Sequence, residues 1–215
     1  MARHTTNAKP PIVDTVIFDI GDVLVADGLY KIHRILGIPE TPQLLSCWQA
    51  YKLGRCTEME YWARTLKGSS SEGKEAELAK CVRDHYRLAM PTEAVPFVSR
   101  IKEAGYNVAI LSNHSSEWAR SVLSGMGLDK VCDPILISAE IHLAKPDPAI
   151  FAYTLGAVGR RDRPDLCAFF DDKIANIDVA RSFGIRAFQY SGKKSLEQGL
   201  KEVGVMDTSS NLVYR

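Results

Sequence analysis

The stretch "TVIFDIGDVL", residues 15–24, places one aspartate, Asp19, at the end of an apolar run and a second, Asp22, three positions later. A compact apolar run bounded by polar or turn residues is typical of a strand that is buried on both faces. We therefore predict a first core strand over residues 15–20. Because open α/β sheets bind ligands beyond the carboxyl ends of their strands, Asp19 is a candidate functional residue.

Four further runs of this kind follow, separated by stretches with helical periodicity. The predicted strands are "YNVAILSN" (106–113), "PILIS" (134–138), "LCAFFDD" (166–172) and "IRAFQYS" (185–191). The helical stretches between them end at Gly105, Gly127, Gly159 and Gly184, glycines suited to left-handed helix C-caps. Alternation of strands and helices predicts an α/β fold, a parallel sheet with helices on both faces.

The interval from Asp27 to about Met90 contains no convincing strand but carries helix start signals. Thr41 precedes Pro42, a favoured first helical residue, and "TEME" (57–60) has the pattern of a capping box. The interval is therefore predicted to hold roughly four helices.

These signals predict two units, a core domain (residues 12–26 and 91–215) and an inserted α-helical cap subdomain (residues 27–90). An insertion beyond the first strand lies over the ligand-binding edge of the sheet, so we interpret it as a lid. Lid motion would occur at the crossings near Asp27–Gly28 and Met90–Pro91.

The composition is that of an ordinary globular protein, with 46% apolar and 25% charged residues in a chain of 215. The 27 basic and 26 acidic residues give a net charge of +1 without a basic block, so no nucleic-acid partner is indicated. No apolar run approaches the roughly 20 residues of a membrane span. Five widely spaced cysteines without a C-x-x-C pair favour a reducing, cytoplasmic compartment. The sequence does not indicate an oligomeric state.

Polar and charged residues stand at the predicted strand ends and before one Pro-led helix. They are Asp19, Ser112, Asn113, Lys145, Asp171 and Asp172. Because the ends of parallel strands lie at one edge of a sheet, these residues should converge on one cleft. A hydroxyl and backbone N–H groups can bind an anion there, a lysine can neutralise it, and paired carboxylates can bind a hard divalent cation.

The order and spacing of these motifs resemble the haloacid dehalogenase superfamily, in its phosphatase-like branch with a helical cap inserted after the first motif. The resemblance extends from about Val13 to about Ser191 and implies a Rossmann-like core. It implies that Asp19 is the nucleophile, that Ser112 and Asn113 bind the transferred group, and that Lys145 screens its charge. The implied Mg²⁺ ligands are Asp19, the backbone carbonyl of Gly21 and Asp172, with Asp171 and Asn176 in support. Without a metal, the three aspartates would repel one another.

Position 21 departs from the pattern of the family's phosphatases, which usually carry a second aspartate two residues after the nucleophile to protonate the leaving oxygen. Here Gly21 occupies that position and Asp22 follows it. Glycine retains the backbone carbonyl for the metal but lacks the acid. General acid–base catalysis contributes about 10²- to 10⁴-fold, so its loss handicaps the reaction without abolishing it.

We favour a Mg²⁺-dependent phosphatase that hydrolyses a small organic phosphate, of the sugar phosphate or prenyl/terpenoid phosphate type, through an aspartyl-phosphate intermediate. Its leaving group would need little protonation, or Asp22, His114 or a cap residue would act as the acid.

Two alternatives stay open. A metal-independent 2-haloacid dehalogenase needs no proton for its halide leaving group, but it has no use for the pair Asp171 and Asp172. A catalytically weak binding or regulatory protein would explain the missing acid but not the retained charged residues.

The aromatic residues of the cap allow two interpretations. Trp48, Tyr51 and Trp62, with Lys52 and Arg55, could line a pocket for an apolar or ring-shaped group. Aromatic residues at helical spacing more often form the packing between helices, which is the interpretation we favour.

Overall fold

The computed structural model describes residues 13–26, 33, 38 and 41–215, and its centre is a parallel sheet. The strands are β1 (Thr15–Phe18), β2 (Asn107–Ser112), β3 (Ile135–Ile137), β4 (Cys167–Asp171) and β5 (Arg186–Gln189). They are all parallel, in the order β3-β2-β1-β4-β5. The five predicted strands are confirmed, each slightly shorter than predicted. The chain changes direction across the sheet between β1 and β4, the point where α/β sheets bind ligands.

The register of the strands brings the predicted site residues to one edge. Phe18 at the end of β1 pairs with Ile110 on one side and with Phe170 on the other. The next residue, Asp19, donates its backbone N–H to the carbonyl of Phe170 at 3.0 Å. Consequently the carboxyl ends of β1, β2 and β4 lie side by side.

Helices cover both faces of this sheet in the described residues. They are α1 (Pro42–Tyr51), α2 (Glu58–Leu66), α3 (Glu75–Arg87), α4 (Val95–Glu103), α5 (Ser116–Gly125), α6 (Ser138–Ile141), α7 (Pro148–Ala157), α8 (Ile174–Ser182) and α9 (Lys193–Glu202). Val16 and Phe18 belong to one buried apolar cluster and Ile17 to another, as alternation along a strand requires. The predicted α/β architecture is therefore confirmed. The four predicted C-cap glycines all have positive φ, the conformation that glycine adopts without strain.

Helices α1 to α3 form a helical block between β1 and α4, and their predicted start signals are present. Thr41 caps α1, since its Oγ1 accepts a hydrogen bond from the N–H of Leu44 at 3.1 Å. Thr57 and Glu60 form the capping box of α2. Most of the predicted cap before Thr41 lies outside the described residues, which there include only His33 and Ile38.

The two ends of the predicted insertion meet at one place. Val25 forms an antiparallel bridge with Pro91, and the N–H of Thr92 donates to the carbonyl of Leu24 at 2.9 Å. The chain therefore enters and leaves the insertion at adjacent points. The division into core and cap stays a prediction, as does lid motion, since the crossing near Asp27–Gly28 lies outside the described residues.

An aromatic cluster joins the helical block to α5. It consists of Trp48, Tyr51, Tyr61, Trp62, Tyr86, His114 and Trp118. The rings of Trp48 and Trp118 stack with centroids 5.7 Å apart, and those of Tyr51 and Tyr61 with centroids 4.7 Å apart. This geometry favours helix packing as the role of Trp48 and Trp62. Tyr51 also lines a cavity of about 420 Å³ together with Arg55.

Candidate active site

The loop after β1, which holds Asp19 in position, is closed by hydrogen bonds to the carbonyl of Ile20. The carbonyl of Ile20 accepts the N–H groups of Leu24 and Val25 at 2.9 and 3.0 Å. Asp19 Oδ1 accepts the N–H of Ile20 at 2.7 Å, which fixes the orientation of the carboxylate. Asp22 takes a left-handed conformation with φ 53° in this turn. The nucleophile predicted from the sequence is thus buried and held by local backbone contacts.

Lys145 lies between the buried carboxylates of Asp19 and Asp171. Its Nζ is 3.0 Å from Asp19 Oδ2, donates to Asp171 Oδ2 at 2.6 Å and donates to the carbonyl of Leu111 at 2.8 Å. Burial by itself lowers the pKa of Lys145, but the charges of Asp171 and Asp19 outweigh it and raise this pKa above its usual value. Lys145 therefore remains a cation in the centre of the site.

Asn113 holds the loop that carries this lysine. Its Nδ2 donates to the carbonyl of Lys145 at 2.6 Å, and its Oδ1 accepts the N–H of Lys145 at 2.8 Å. The side-chain amide of Asn113 therefore forms hydrogen bonds with both the N–H and the carbonyl of Lys145. This clamp has no signal in the sequence, because the two residues are 32 positions apart. The predicted contact of Asn113 with a transferred group stays a prediction.

Asp171 is fully buried and has donors for both oxygens. Oδ1 accepts the N–H of Lys173 at 2.8 Å, and the Nδ2 of Asn176 lies 2.8 and 2.9 Å from Oδ1 and Oδ2. Burial raises the pKa of Asp171, but Lys145 and these donors outweigh it and lower the pKa below its usual value. The predicted supporting residues Asp171 and Asn176 thus contact each other directly.

The pKa of Asp19 is raised above its usual value, whereas that of Asp171 is lowered. Burial raises its pKa to about 6, Lys145 opposes this effect, and the neighbouring charge of Asp171 adds to it. The hydroxyl of Ser112, at the end of β2, acts with Lys145 to favour the carboxylate form. Ser112 therefore lies beside Asp19, and its binding of a transferred group stays a prediction.

Asp172 completes the cluster but has an unsatisfied oxygen. Its Oδ1 is buried and accepts no hydrogen bond in the described structure. Burial raises the pKa of Asp172, and the charges of Asp171 and Asp22 add to this effect. Ligand oxygens of Asp19, Asp171 and Asp172 lie within 4.8 Å of one another. A buried oxygen without a donor and three converging carboxylates fit a hard divalent cation.

Gly21 and Asp22 differ in what surrounds them. A Cβ added to Gly21 would meet no atom within 4 Å, and its backbone is not in the left-handed region. The position therefore has room for a side chain, although the sequence supplies none. Asp22 is exposed, and its role as an alternative acid or base stays a prediction.

One contact at the end of β3 could not be predicted from the sequence. Ser138 Oγ accepts the N–H of His114 at 2.9 Å and donates to the carbonyl of Lys52 at 2.6 Å. This hydroxyl therefore joins the segment after Asn113 to the loop that follows α1. No local motif marks Ser138, because its partners are distant in the chain.

The class of protein follows from this architecture and is shown by comparison with known families. Residues 13–184 match the family model of the haloacid dehalogenase-like hydrolases, and the chain belongs to this family of hydrolases.

Relatives within this family have different activities. The chain is 29% identical over 192 residues to Phosphatase MT3486 of Mycobacterium tuberculosis (strain CDC 1551 / Oshkosh), a match covering 82% of this chain and 86% of that protein. It is 32% identical over 97 residues to (S)-2-haloacid dehalogenase 4A of Burkholderia cepacia, covering 45% of this chain and only 41% of that protein.

A solved structure shows the same fold. It is an enzyme of this family, BT-2542 from Bacteroides thetaiotaomicron, in complex with magnesium and inorganic phosphate. The TM-score is 0.69 at 18% identity, covering 84% of this chain and 95% of that chain. In the described part of the present chain, no helix has the length and apolar character needed to cross a membrane.

Proposed function

We propose that this hydrolase is a Mg²⁺-dependent phosphatase that acts on a small organic phosphate through an aspartyl-phosphate intermediate. The observation that carries this proposal is the buried Oδ1 of Asp172, which has no donor although it lies in a cluster with Asp19 and Asp171. A metal-independent enzyme would keep this oxygen desolvated with nothing to compensate it. A cytoplasmic location and the lack of a nucleic-acid partner stay predictions from the sequence.

The proposed reaction divides one displacement into two. An Asp19 carboxylate oxygen attacks phosphorus, the bond to the leaving oxygen breaks, and water then cleaves the acyl phosphate to release inorganic phosphate. Lys145 holds its positive charge 3.0 Å from Asp19, where it can screen the phosphoryl oxygens. Ser112 and the backbone at Asn113 would position the transferred group.

The metal would be held by Asp19, the carbonyl of Gly21 and Asp172. When bound, Mg²⁺ would supply positive charge that neutralises both the nucleophile and the phosphate. Asp171 already forms hydrogen bonds with Lys145 and Asn176, and it would support the metal site without being one of the ligands.

The missing acid at Gly21 restricts the substrate. Without a nearby proton donor, a leaving group that is stable as an anion is favoured, such as that of a sugar 1-phosphate, an acyl phosphate or a diphosphate. Prenyl and terpenoid diphosphates belong to the same class.

A second candidate function is 2-haloacid dehalogenation. The absence of an acid at Gly21 and the similarity to a haloacid dehalogenase favour it. The unsatisfied Asp172 oxygen disfavours it. The similarity to Phosphatase MT3486, which extends over most of both chains, supports the phosphatase.

Hydrolysis of p-nitrophenyl phosphate tests the proposal, because nitrophenolate leaves without needing an acid. We expect turnover with Mg²⁺, little with chelator, and a loss of at least about 10³-fold in Asp19→Asn. The matched control Asp162→Asn removes an exposed carboxylate on the amino-terminal side of β4, whereas the candidate site is at the carboxyl end of that strand, and it should keep wild-type activity.

Other outcomes select the alternatives. Chloride release from chloroacetate that is indifferent to chelator would replace the phosphatase with a dehalogenase. If the folded wild-type protein hydrolyses neither compound, the proposal fails in favour of a binding or regulatory protein.

A further inference from the structure

The lysine at the centre of the aspartate cluster lies on a short connection between two helices. Residues 142–147 join the end of α6 to the start of α7, and Lys145 is only 4% exposed. Its Nζ lies 3.0 Å from an oxygen of Asp19 and 2.6 Å from an oxygen of Asp171. A shift of the main chain at Lys145 would therefore move this positive charge relative to the predicted nucleophile.

The side chain of Asn113 attaches this connection to the end of β2. Its Nδ2 donates to the carbonyl of Lys145 at 2.6 Å, and its Oδ1 accepts the N–H of Lys145 at 2.8 Å. Within the described part of the chain, no other group bonds to this N–H or this carbonyl. One side-chain amide thus satisfies both main-chain polar groups of a buried residue, which are costly to leave without partners.

The two residues next to each other at the end of β2 differ in what their side chains contact. The hydroxyl of Ser112 lies beside the carboxylate of Asp19 and favours its charged form. Both polar atoms of the Asn113 side chain are already bonded to Lys145. The side chain of Asn113 therefore reaches the reacting groups through Lys145, whereas Ser112 lies against the predicted nucleophile directly.

We propose that Asn113 is a positioning residue, whose side chain fixes the place of Lys145 and thereby of the positive charge beside Asp19. This inference rests on the proposed phosphatase function and adds a residue to it that acts without touching the substrate through its side chain. A displacement of about 1 Å in a group that stabilises the transition state can lower a rate by about 10²-fold. The main chain of Asn113 keeps its proposed role in binding the transferred group.

The first test is Asn113→Ala, assayed with p-nitrophenyl phosphate and Mg²⁺. We expect turnover to fall by about 10- to 100-fold, because Lys145 loses the contacts that fix its main chain. Ser138→Ala is the matched control, since it removes hydrogen bonds to His114 and Lys52 but none to Lys145. Its turnover per folded molecule should stay within about threefold of wild type.

A double-mutant cycle separates positioning from a merely structural role. In Lys145→Met the main-chain partners of Asn113 remain, but the charge is gone. Asn113→Ala should then still lower the free energy of unfolding, yet change turnover by less than about twofold. A further loss of about 10-fold or more in this background would overturn the proposal, because Asn113 would then act independently of the lysine charge.

A readout without turnover covers the case in which Lys145→Met does not fold. The ammonium group of Lys145 is fully buried and donates to Asp171 and to the carbonyl of Leu111, so its NMR signal should be resolved in protein labelled with ¹⁵N-lysine. Lys145→Arg identifies the signal. Asn113→Ala should shift or broaden it, whereas Ser138→Ala should leave it in place. An unchanged signal in the first variant, or an equal shift in both, would overturn the proposal.

The same measurements distinguish this inference from the proposed function. If the folded wild-type protein does not hydrolyse p-nitrophenyl phosphate while the signal of Lys145 depends on Asn113, the phosphatase is removed and the positioning role stays. Normal turnover that Asn113→Ala leaves unchanged removes the positioning role alone. Thermal unfolding of each variant shows that any loss of rate occurs in folded protein.

Discussion

Two carboxylates of this molecule, that of the buried Glu58 and that of the half-buried Asp172, differ in how their oxygens are satisfied. Glu58, which is only 5% exposed, accepts the Nε1–H of Trp118 on Oε1 at 2.7 Å and the guanidinium of Arg83 on Oε2. The Oδ1 of Asp172 is buried with no donor in the described structure. Burial is the main cause that raises the pKa of both groups. The fully bonded carboxylate fits a structural role, whereas the incompletely bonded one is the basis of the cation site that we propose.

The most severe test of this difference is Asp172→Asn, which removes one charge and keeps the shape. We expect Mg²⁺-dependent hydrolysis of p-nitrophenyl phosphate to fall by about 10²- to 10³-fold, because a metal ligand is weakened. Without metal, the free energy of unfolding of the variant should equal or exceed that of the wild-type protein. The reason is that the substitution removes the charge repulsion between residue 172 and the carboxylates of Asp171 and Asp22. Rate assays with Mg²⁺ and with chelator measure the first effect, and denaturant unfolding without Mg²⁺ measures the second. A metal-free variant clearly less stable than wild type would mean that Asp172 is structural as well.

The matched change Glu58→Gln makes the same chemical substitution in the structural carboxylate. We expect the free energy of unfolding to fall by about 1–3 kcal/mol, because glutamine keeps only one of the two acceptor oxygens that bind Arg83 and Trp118 separately. Turnover per folded molecule should stay within about threefold of wild type. Denaturant titration and a Mg²⁺-dependent rate assay measure both quantities. A large loss of rate with unchanged stability would reverse the roles assigned to the two carboxylates.

The smallest expected effect comes from adding a carboxylate at Gly21. Since a Cβ there meets no atom within 4 Å, Gly21→Asp should fold and supply the missing acid. We expect hydrolysis of an alkyl phosphate, which has a poor leaving group, to rise by at least about 10-fold relative to p-nitrophenyl phosphate. Gly21→Ala is the control for the side chain alone. Equal rates for the two variants would show that the acid is already supplied from elsewhere.

Local features of the chain allowed the sheet and the charged edge to be predicted. Each strand is a continuous apolar run, each motif stands at a strand end, and parallel pairing then brings Asp19, Ser112 and Asp171 together. The caps at Thr41 and Thr57 depend on side chains within a few positions of each other. Such short-range patterns can be read without knowing the packing.

Contacts between distant parts of the chain could not be predicted. Trp118 and Glu58 are 60 positions apart, and Ser138 and Lys52 are 86 apart. Their pairing depends on how the helical block lies on α5, for which the sequence carries no local signal. For the same reason the sequence favoured helix packing for Trp48 but did not identify its stacking partner, Trp118.

The bridge between Val25 and Pro91 has a consequence for how such a protein can change over evolution. Because the insertion starts and ends at neighbouring points, helices can be added, removed or exchanged there without altering the strand order. The residues that we propose to perform the chemistry lie at the strand ends, outside the exchangeable part. Selection for a new substrate can therefore act on the helical block while the catalytic edge is inherited unchanged. The constraint on such exchanges is Trp118, whose indole ring any replacement would have to cover.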